Sequence, residues 1–260
     1  MRKLLVLLTG CFLVAGIIGM LLVYSGYRKG QTEYADLVSV YYKKDDRSKI
    51  SVKNTEAQIV ENEVQLPADA PLPATIDFYS LMQINEDIVG WIDIPAIDIS
   101  YPILQGKDNE YYLHRDIYKE YLYAGSIFMD ANNNDDFQNF NTILYGHNMR
   151  DGSMFAKLKD FQQKNVFSSC PYFWIYTNQG SILYRIFSVH LAENESSTYT
   201  IRFANAEEYY DWFQNMKDSS VIQASIMEQE LTSVVTLSTC TGEEQLKQVV
   251  QGGMVYLLPN

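Results

Sequence analysis

The stretch "SVVTLSTCTGEEQLKQVVQGG", residues 233–253, holds two runs of strand-forming residues around a polar turn. The first run, Val234 to Cys240, is rich in Val and Thr, which suit a pleated, half-buried surface. It ends on a cysteine. The second run begins near Lys247 and continues through "MVYLL", so the chain closes on two strands joined by a short loop. The spacing predicts that Cys240 sits at a strand end, where loops held by a rigid scaffold carry function.

Working outward, the same texture fills the region after residue 86. "GWIDIP", "AIDISYPIL", "AGSIFMD" and "NTILYGH" read as short strands separated by turn-rich segments such as "ANNNDDFQN". "YFWIYT" and "ILYRIFSVHL" flank "NQGS", a hairpin signal. Helical spacing occurs at "IDFYSLMQINEDIVGW", which stops at Asn85–Asp87, at "DGSMFAKLKDF", and best at 205–218, "NAEEYYDWFQNMKD". There Asn205 is the expected N-cap, with Glu208 three positions on. About eight strands with few helices predict a mainly β protein built as a closed eight-stranded barrel, with an N-terminal helix and a helix inserted before the cysteine strand. The 20 Tyr and 12 Phe among 260 residues fit a strand-rich core of that size.

The N-terminus has a different character. Residues 4–23, "LLVLLTGCFLVAGIIGMLLV", form an uncharged run of 20, preceded by Arg2 and Lys3. At 1.5 Å per residue it spans about 30 Å, one bilayer core. A cleaved signal peptide would show a shorter apolar core and a small-residue cleavage site. "LTGC" (8–11) has the form of a lipoprotein processing site but follows an unusually short leader. The reading is therefore an uncleaved transmembrane anchor with residues 1–3 cytoplasmic and the large C-terminal part outside. Residues 24–73 are expected to form a partly helical stalk ("YADLVSVYYKK", "EAQIVENEVQL") and a Pro-rich linker ("LPADAPLPATID"), and residues 74–260 the folded domain.

The net charge is −12, and from residue 74 onward 11 basic side chains face 24 acidic ones. Such a domain is a poor nucleic-acid binder and suits amine-bearing partners. Three cysteines make no disulfide framework. Cys11 lies in the apolar run and Cys170 reads as a buried small apolar residue, which leaves Cys240 as the candidate nucleophile. Of three histidines, His190 lies in an alternating strand and reads as structural, and His114 as a loop residue. His147 ends the strand "NTILYGH", so it and Cys240 can share one rim of a barrel. A thiolate is the nucleophilic form, and a neighbouring cation or imidazole supports it.

"TLSTC" resembles the TLxTC signature of sortases, the membrane-anchored cysteine transpeptidases of Gram-positive cell surfaces. "NTILYGHNMRDGSMFAKL", "INEDIVGWIDIP" and "YPILQGKDNEYYLHRDIYKEYLYAGSIFMD" resemble class B sortase segments, in family order over about residues 75–258. An L,D-transpeptidase would instead show a Gly-Cys site. The resemblance implies that Cys240 attacks a threonine carbonyl in a sorting signal near a client's C-terminus, and that His147 protonates the leaving amine and assists the incoming one. An amine on a peptidoglycan precursor would then resolve the acyl-enzyme. It further implies no cofactor and no metal, unlike calcium-using class A enzymes. It implies a groove lined by Asn109 and Leu113 of the "DNxYYL" segment, by Ser238 and Thr239 of the signature, and by Tyr199 before the inserted helix.

The chain departs from the family at one place. Members carry an arginine seven to ten residues after the cysteine, and this chain has none after Arg202. Alignment on "VVQG" puts Lys247 there, with Gln248 as the rival donor. Adjacent strand residues face opposite ways, so only one of them reaches the groove. Lysine supplies one compact charge where arginine supplies a planar fork. Two other functions remain open: a pilin-polymerising enzyme, although the chain shows neither the lid segment nor the C-terminal membrane helix of class C, and a catalytically weak peptide-binding module.

Overall fold

In the computed structural model, residues 2–44, 66–224, 233–243 and 245–259 are described. The expected stalk segment "EAQIVENEVQL" lies almost wholly outside them. Helix α1 covers Arg2–Tyr41 without a break. Strand β1 (Tyr42–Lys44) pairs with β2 (Ala74–Ile76), and α2 (Phe78–Ile84) follows. The remaining strands are β3 (Ile88–Ile94), β4 (Ile99–Leu104), β5 (Ile127–Met129), β6 (Asn141–Tyr145), β7 (Tyr172–Thr177), β8 (Gly180–Glu193), β9 (Val234–Cys240) and β10 (Leu246–Pro259). They close into an eight-stranded barrel in the order β10-β8-β7-β3-β4-β5-β6-β9. The pairs β4/β5 and β6/β9 are parallel and the others antiparallel. The closed, mainly β architecture is the one read from the strand pattern.

Helix α3 (Lys164–Ser169) follows a 3₁₀ segment at Ala156–Gln162, where "DGSMFAKLKDF" reads as a short helix. The inserted helix α4 (Ala206–Asp218) has the predicted cap: the Asn205 side chain accepts from the Glu208 amide at 2.9 Å. Glu207 and Glu208 lie in its first turn and Lys217 in its last, matching the helix dipole. Tyr209, Trp212, Phe213 and Met216, at i, i+3, i+4 and i+7, bury one face against Phe187 and Val234. Each such side chain contributes roughly 1.5–3 kcal/mol.

Within the segment expected as stalk and linker, the described residues 24–44 and 66–73 pack on the barrel. Tyr27, Gly30, Tyr34, Leu37, Val38 and Tyr41 repeat at helical spacing and form the docked face of α1. The Tyr34 hydroxyl donates to the Gly125 carbonyl at 2.8 Å. The proline segment lies along β7: Trp174 Nε1 donates to the Pro71 carbonyl at 3.1 Å, and the Tyr172 hydroxyl donates to Asp69 at 2.9 Å. These aromatic partners lie far along the chain, so local composition does not reveal the docking.

Candidate active site

Strands β6, β9 and β10 build the site as one rung. In the parallel pair β6/β9, Tyr145 is opposite Ser238, and the Gly146 amide continues the ladder to the Ser238 carbonyl at 3.2 Å. Two residues further on each strand stand His147 and Cys240. Asn148 ties the loop to the strand end, donating from Nδ2 to the Cys240 carbonyl at 2.7 Å. In the antiparallel pair β9/β10, Lys247 is opposite Cys240 and Gln248 opposite Thr239. Cys240 is exposed, and Lys247 Nζ lies 3.2 Å from its Sγ.

The choice between Lys247 and Gln248 follows from strand parity. Gln248 is buried; its amide oxygen accepts from Gln162 at 2.6 Å and its amide nitrogen donates to the His190 carbonyl at 3.3 Å. Thr239, expected alongside Ser238 as a groove residue, shares the Gln248 face of the ladder, and its hydroxyl is buried away from the Cys240 face. Ser238 lies on the Cys240 side, with its hydroxyl 2.9 Å from that of Tyr199.

His147 is half-buried, and its orientation is set by groups that the sequence does not advertise. Nε2 donates to the Leu113 carbonyl at 2.8 Å, so that nitrogen carries the proton of the neutral ring and Nδ1 is its basic nitrogen. His114 stacks on the His147 ring at 5.2 Å and Tyr123 at 6.1 Å. Burial pushes His147 below its ordinary pKa; the Leu113 bond opposes this, and the nearby His114 and Lys247 push it further down. Leu113 thus serves through its backbone oxygen. Gly125, at φ 57°, packs so closely on this segment that an added Cβ would clash with the Leu113 carbonyl.

The other wall is a chain of polar aromatics. Tyr199 stacks on Tyr145 at 6.4 Å, and Tyr145 donates to Asp130 at 3.0 Å. Asn109 donates to the same Asp130 oxygen at 2.9 Å and accepts from the Ala131 amide at 2.8 Å. Its amide is therefore engaged in holding the wall. Asn141, fully buried, donates to the carbonyls of Thr198 and Thr200 and so pins the Tyr199 segment; Thr236 donates to its oxygen.

His190 and Cys170, both read from the sequence as structural, lie elsewhere. His190 is buried between Ser188 and Thr198, and burial holds it at about 4. Cys170 is half-buried and burial raises its pKa. Among the described residues no group of three or more His, Cys, Asp or Glu side chains is placed to hold a metal ion.

Comparison with known proteins gives a consistent result. The family model of the Sortase domain matches residues 92–255. Sortase B of Listeria monocytogenes is 38% identical over 178 residues, 67% of this chain and 72% of that protein. Sortase B of Staphylococcus aureus is 34% identical over 175 residues, 66% of this chain and 72% of that protein. Among solved structures, sortase B from Bacillus anthracis aligns with TM-score 0.68 at 32% identity, over 89% of this chain and 99% of that one. A Staphylococcus aureus sortase B–substrate complex aligns with TM-score 0.69 at 28% identity, over 88% of this chain and 97% of that one.

Proposed function

The chain belongs to the class B sortases, a family of transpeptidases, and on that footing we propose that it is a cell-surface cysteine enzyme that works through Cys240. Cys240 Sγ attacks the carbonyl carbon of a threonine in a client's C-terminal sorting signal. His147 takes the proton of the Cys240 thiol, a thioester forms as the peptide C–N bond breaks, and His147 passes that proton to the leaving amine. An amine of a peptidoglycan precursor then attacks the thioester. His147 takes a proton from that amine, a new amide joins client to precursor as the C–S bond breaks, and the proton returns to the sulfur as the thiol is released.

The observation that carries this reading is the exposed Cys240 with Lys247 at 3.2 Å from its sulfur, next to the loop after β6 that carries His147 and is tied to the Cys240 carbonyl by Asn148. The Lys247 ammonium, 3.2 Å from the sulfur, supports its negative charge and supplies a cation for the charge that develops on the attacked carbonyl oxygen. Ser238, Tyr199 and the Asn109-braced wall form the groove for the sorting signal. The uncharged run at 4–23 anchors the chain in the membrane with residues 1–3 inside; the helix containing Phe12–Tyr41 is long and apolar enough to cross a bilayer. No cofactor takes part.

Intact mass spectrometry of the full chain in detergent, mixed with a pool of sorting-signal peptides, tests the proposal. A mass gain equal to a peptide fragment ending in threonine, absent in Cys240→Ala, is the expected result. No adduct from any peptide, with Cys240 still open to alkylation, would turn the reading to a peptide-binding module.

A further inference from the structure

Helix α1 has a direction on the barrel. Its first docked residue, Tyr27, has its ring 6.3 Å from Tyr123, which itself stacks on His147. Gln31 donates to Asp151, four residues past His147, at 3.1 Å. At the other end, Tyr42 just past α1 lies 6.2 Å from Trp91 and 6.5 Å from Tyr176, beside the β7–β8 hairpin. From Tyr27 to Tyr41 the helix rises about 21 Å. It therefore runs from the rim that carries His147 and Cys240 to the opposite end of the barrel.

The same helix continues backwards from Tyr27 into the uncharged run that ends at Val23, about 6 Å away along the axis. The end of the barrel nearest a bilayer is then the catalytic end. Arg28 and Lys29 are the first charges past the run. Lys29 forms an ion pair at 2.9 Å with Glu120, in the loop 118–123. That loop exposes Tyr118, Tyr121 and Tyr123, at 49%, 71% and 55%. Lys29 lies about 9 Å beyond Val23, at the outer edge of a headgroup layer roughly 5–8 Å deep. Tyrosine favours that layer, with its ring in the apolar side and its hydroxyl wet.

Tyr118 lies further along α1, beside Thr32, Glu33 and Asp36, whereas Tyr123 meets Tyr27 and Tyr121 meets His114 at the rim. We propose that Tyr121 and Tyr123 rest in the lipid headgroup layer, so that the Cys240 rim opens toward the membrane surface. This rests on the reading of residues 4–23 as the anchor. It gives a reason for the exposure of these two tyrosines beside the rim, and it brings the thioester close to the membrane surface.

The test places tryptophan in the full chain, reconstituted in phosphatidylcholine vesicles whose acyl chains are brominated near the glycerol. Tyr121→Trp reports the rim, and Tyr123→Trp reports it again should the first variant not fold. Leu21→Trp, about 3 Å from Val23 along the helix, reports the anchor at the level of the bromines, and Leu257→Trp reports the far end of the barrel; the native tryptophans of the unsubstituted chain give the background. Quenching at 21 and 121 with none at 257 is the expected result. Quenching at 21 with 121 and 123 as bright as 257 overturns the seating while leaving the anchor. No quenching at 21 removes the anchor and the seating with it.

Discussion

Lys247 stands directly across the β9–β10 ladder from Cys240, with its ammonium nitrogen 3.2 Å from the sulfur. Gln248, one position on, is turned into the protein and bonded to Gln162. The cation at this site is thus fixed by the parity of a strand. Removing it with Lys247→Ala is expected to slow acyl-enzyme formation by about 10²-fold, the effect of losing one donor to a developing oxyanion. Lys247→Arg restores a cation with a wider fork and should keep the rate within about tenfold of the native chain. Single-turnover mass spectrometry with a peptide substrate measures both. An unchanged rate in Lys247→Ala would remove the lysine from the chemistry.

The same lysine bears on the imidazole. His147 is held below its ordinary pKa first by burial, and in part by the positive charge of Lys247. Taking that charge away makes protonation easier, so Lys247→Ala should raise the His147 midpoint. Burial and His114 remain, so the midpoint should stay below that of a free histidine. Titration of the His147 ring protons by NMR, in a Cys240→Ala background, reads the direction.

Gly125 offers a test of the backbone acceptor. Gly125→Ala forces a methyl group against the Leu113 carbonyl and strains a positive φ. A stability loss of about 1–3 kcal/mol is expected. Activity should fall further than that loss explains, because His147 loses its anchor. Thermal unfolding measured beside turnover at a temperature where the variant is folded separates the two. Retained turnover would mean that His147 keeps its orientation without Leu113.

A different histidine sets a pH limit on the fold. Ser188 donates to the Met216 carbonyl at 2.7 Å, so His190 Nδ1 must donate to the Ser188 oxygen, and Nε2 accepts from Thr198. Protonation of Nε2 conflicts with that bond, and burial already holds the ring at about 4. The unfolded chain binds the proton near pH 6.5, so the folded state loses stability as pH falls from about 6.5 to about 4. The loss from this group amounts to roughly 3 kcal/mol at most. His190→Gln cannot titrate, so its Tm deficit against the native chain should shrink over that window. A constant deficit would show that His190 does not titrate in it.

Asn109 tests the wall of the groove. Asn109→Ala leaves Asp130 and the Ala131 amide short of a partner and should cost about 1–3 kcal/mol. Tyr145 donates to the same carboxylate and Tyr199 stacks on Tyr145, so KM for the peptide should rise more than kcat falls. A lower Tm with an unchanged KM would confine Asn109 to folding.

The barrel and its strand ends were legible in the sequence because alternation, the "NQGS" hairpin and the Asn205 cap are local signals, and the structure meets each of them. The candidate nucleophile and imidazole stand out through residue type at strand ends, and the parallel pairing of β6 with β9 brings those strand ends side by side. The Lys247 or Gln248 choice needed the register of β10, which a bulge or a slip of one residue would reverse. The stacking of His114 on His147, the Leu113 carbonyl and the engaged amide of Asn109 are contacts over long sequence separations, mostly to backbone or ring faces. No residue pattern encodes them. The docking of α1 was hidden for the same reason: Tyr34 and Leu37 look like scattered apolar residues until the barrel surface they cover is known.

With residues 4–23 as the proposed anchor, the unbroken course of α1 makes that helix a gear as well as a post. An α-helix turns about 100° and rises 1.5 Å with each residue. One residue inserted between Val23 and Tyr27 would swing the docked barrel by about 100° around the helix axis while lifting it only about 1.5 Å. Three or four inserted residues would bring it back near its starting azimuth, about one 5.4 Å pitch higher. The number of residues in that short neck therefore sets the height and the heading of the Cys240 rim together, and the two return to step only once per turn.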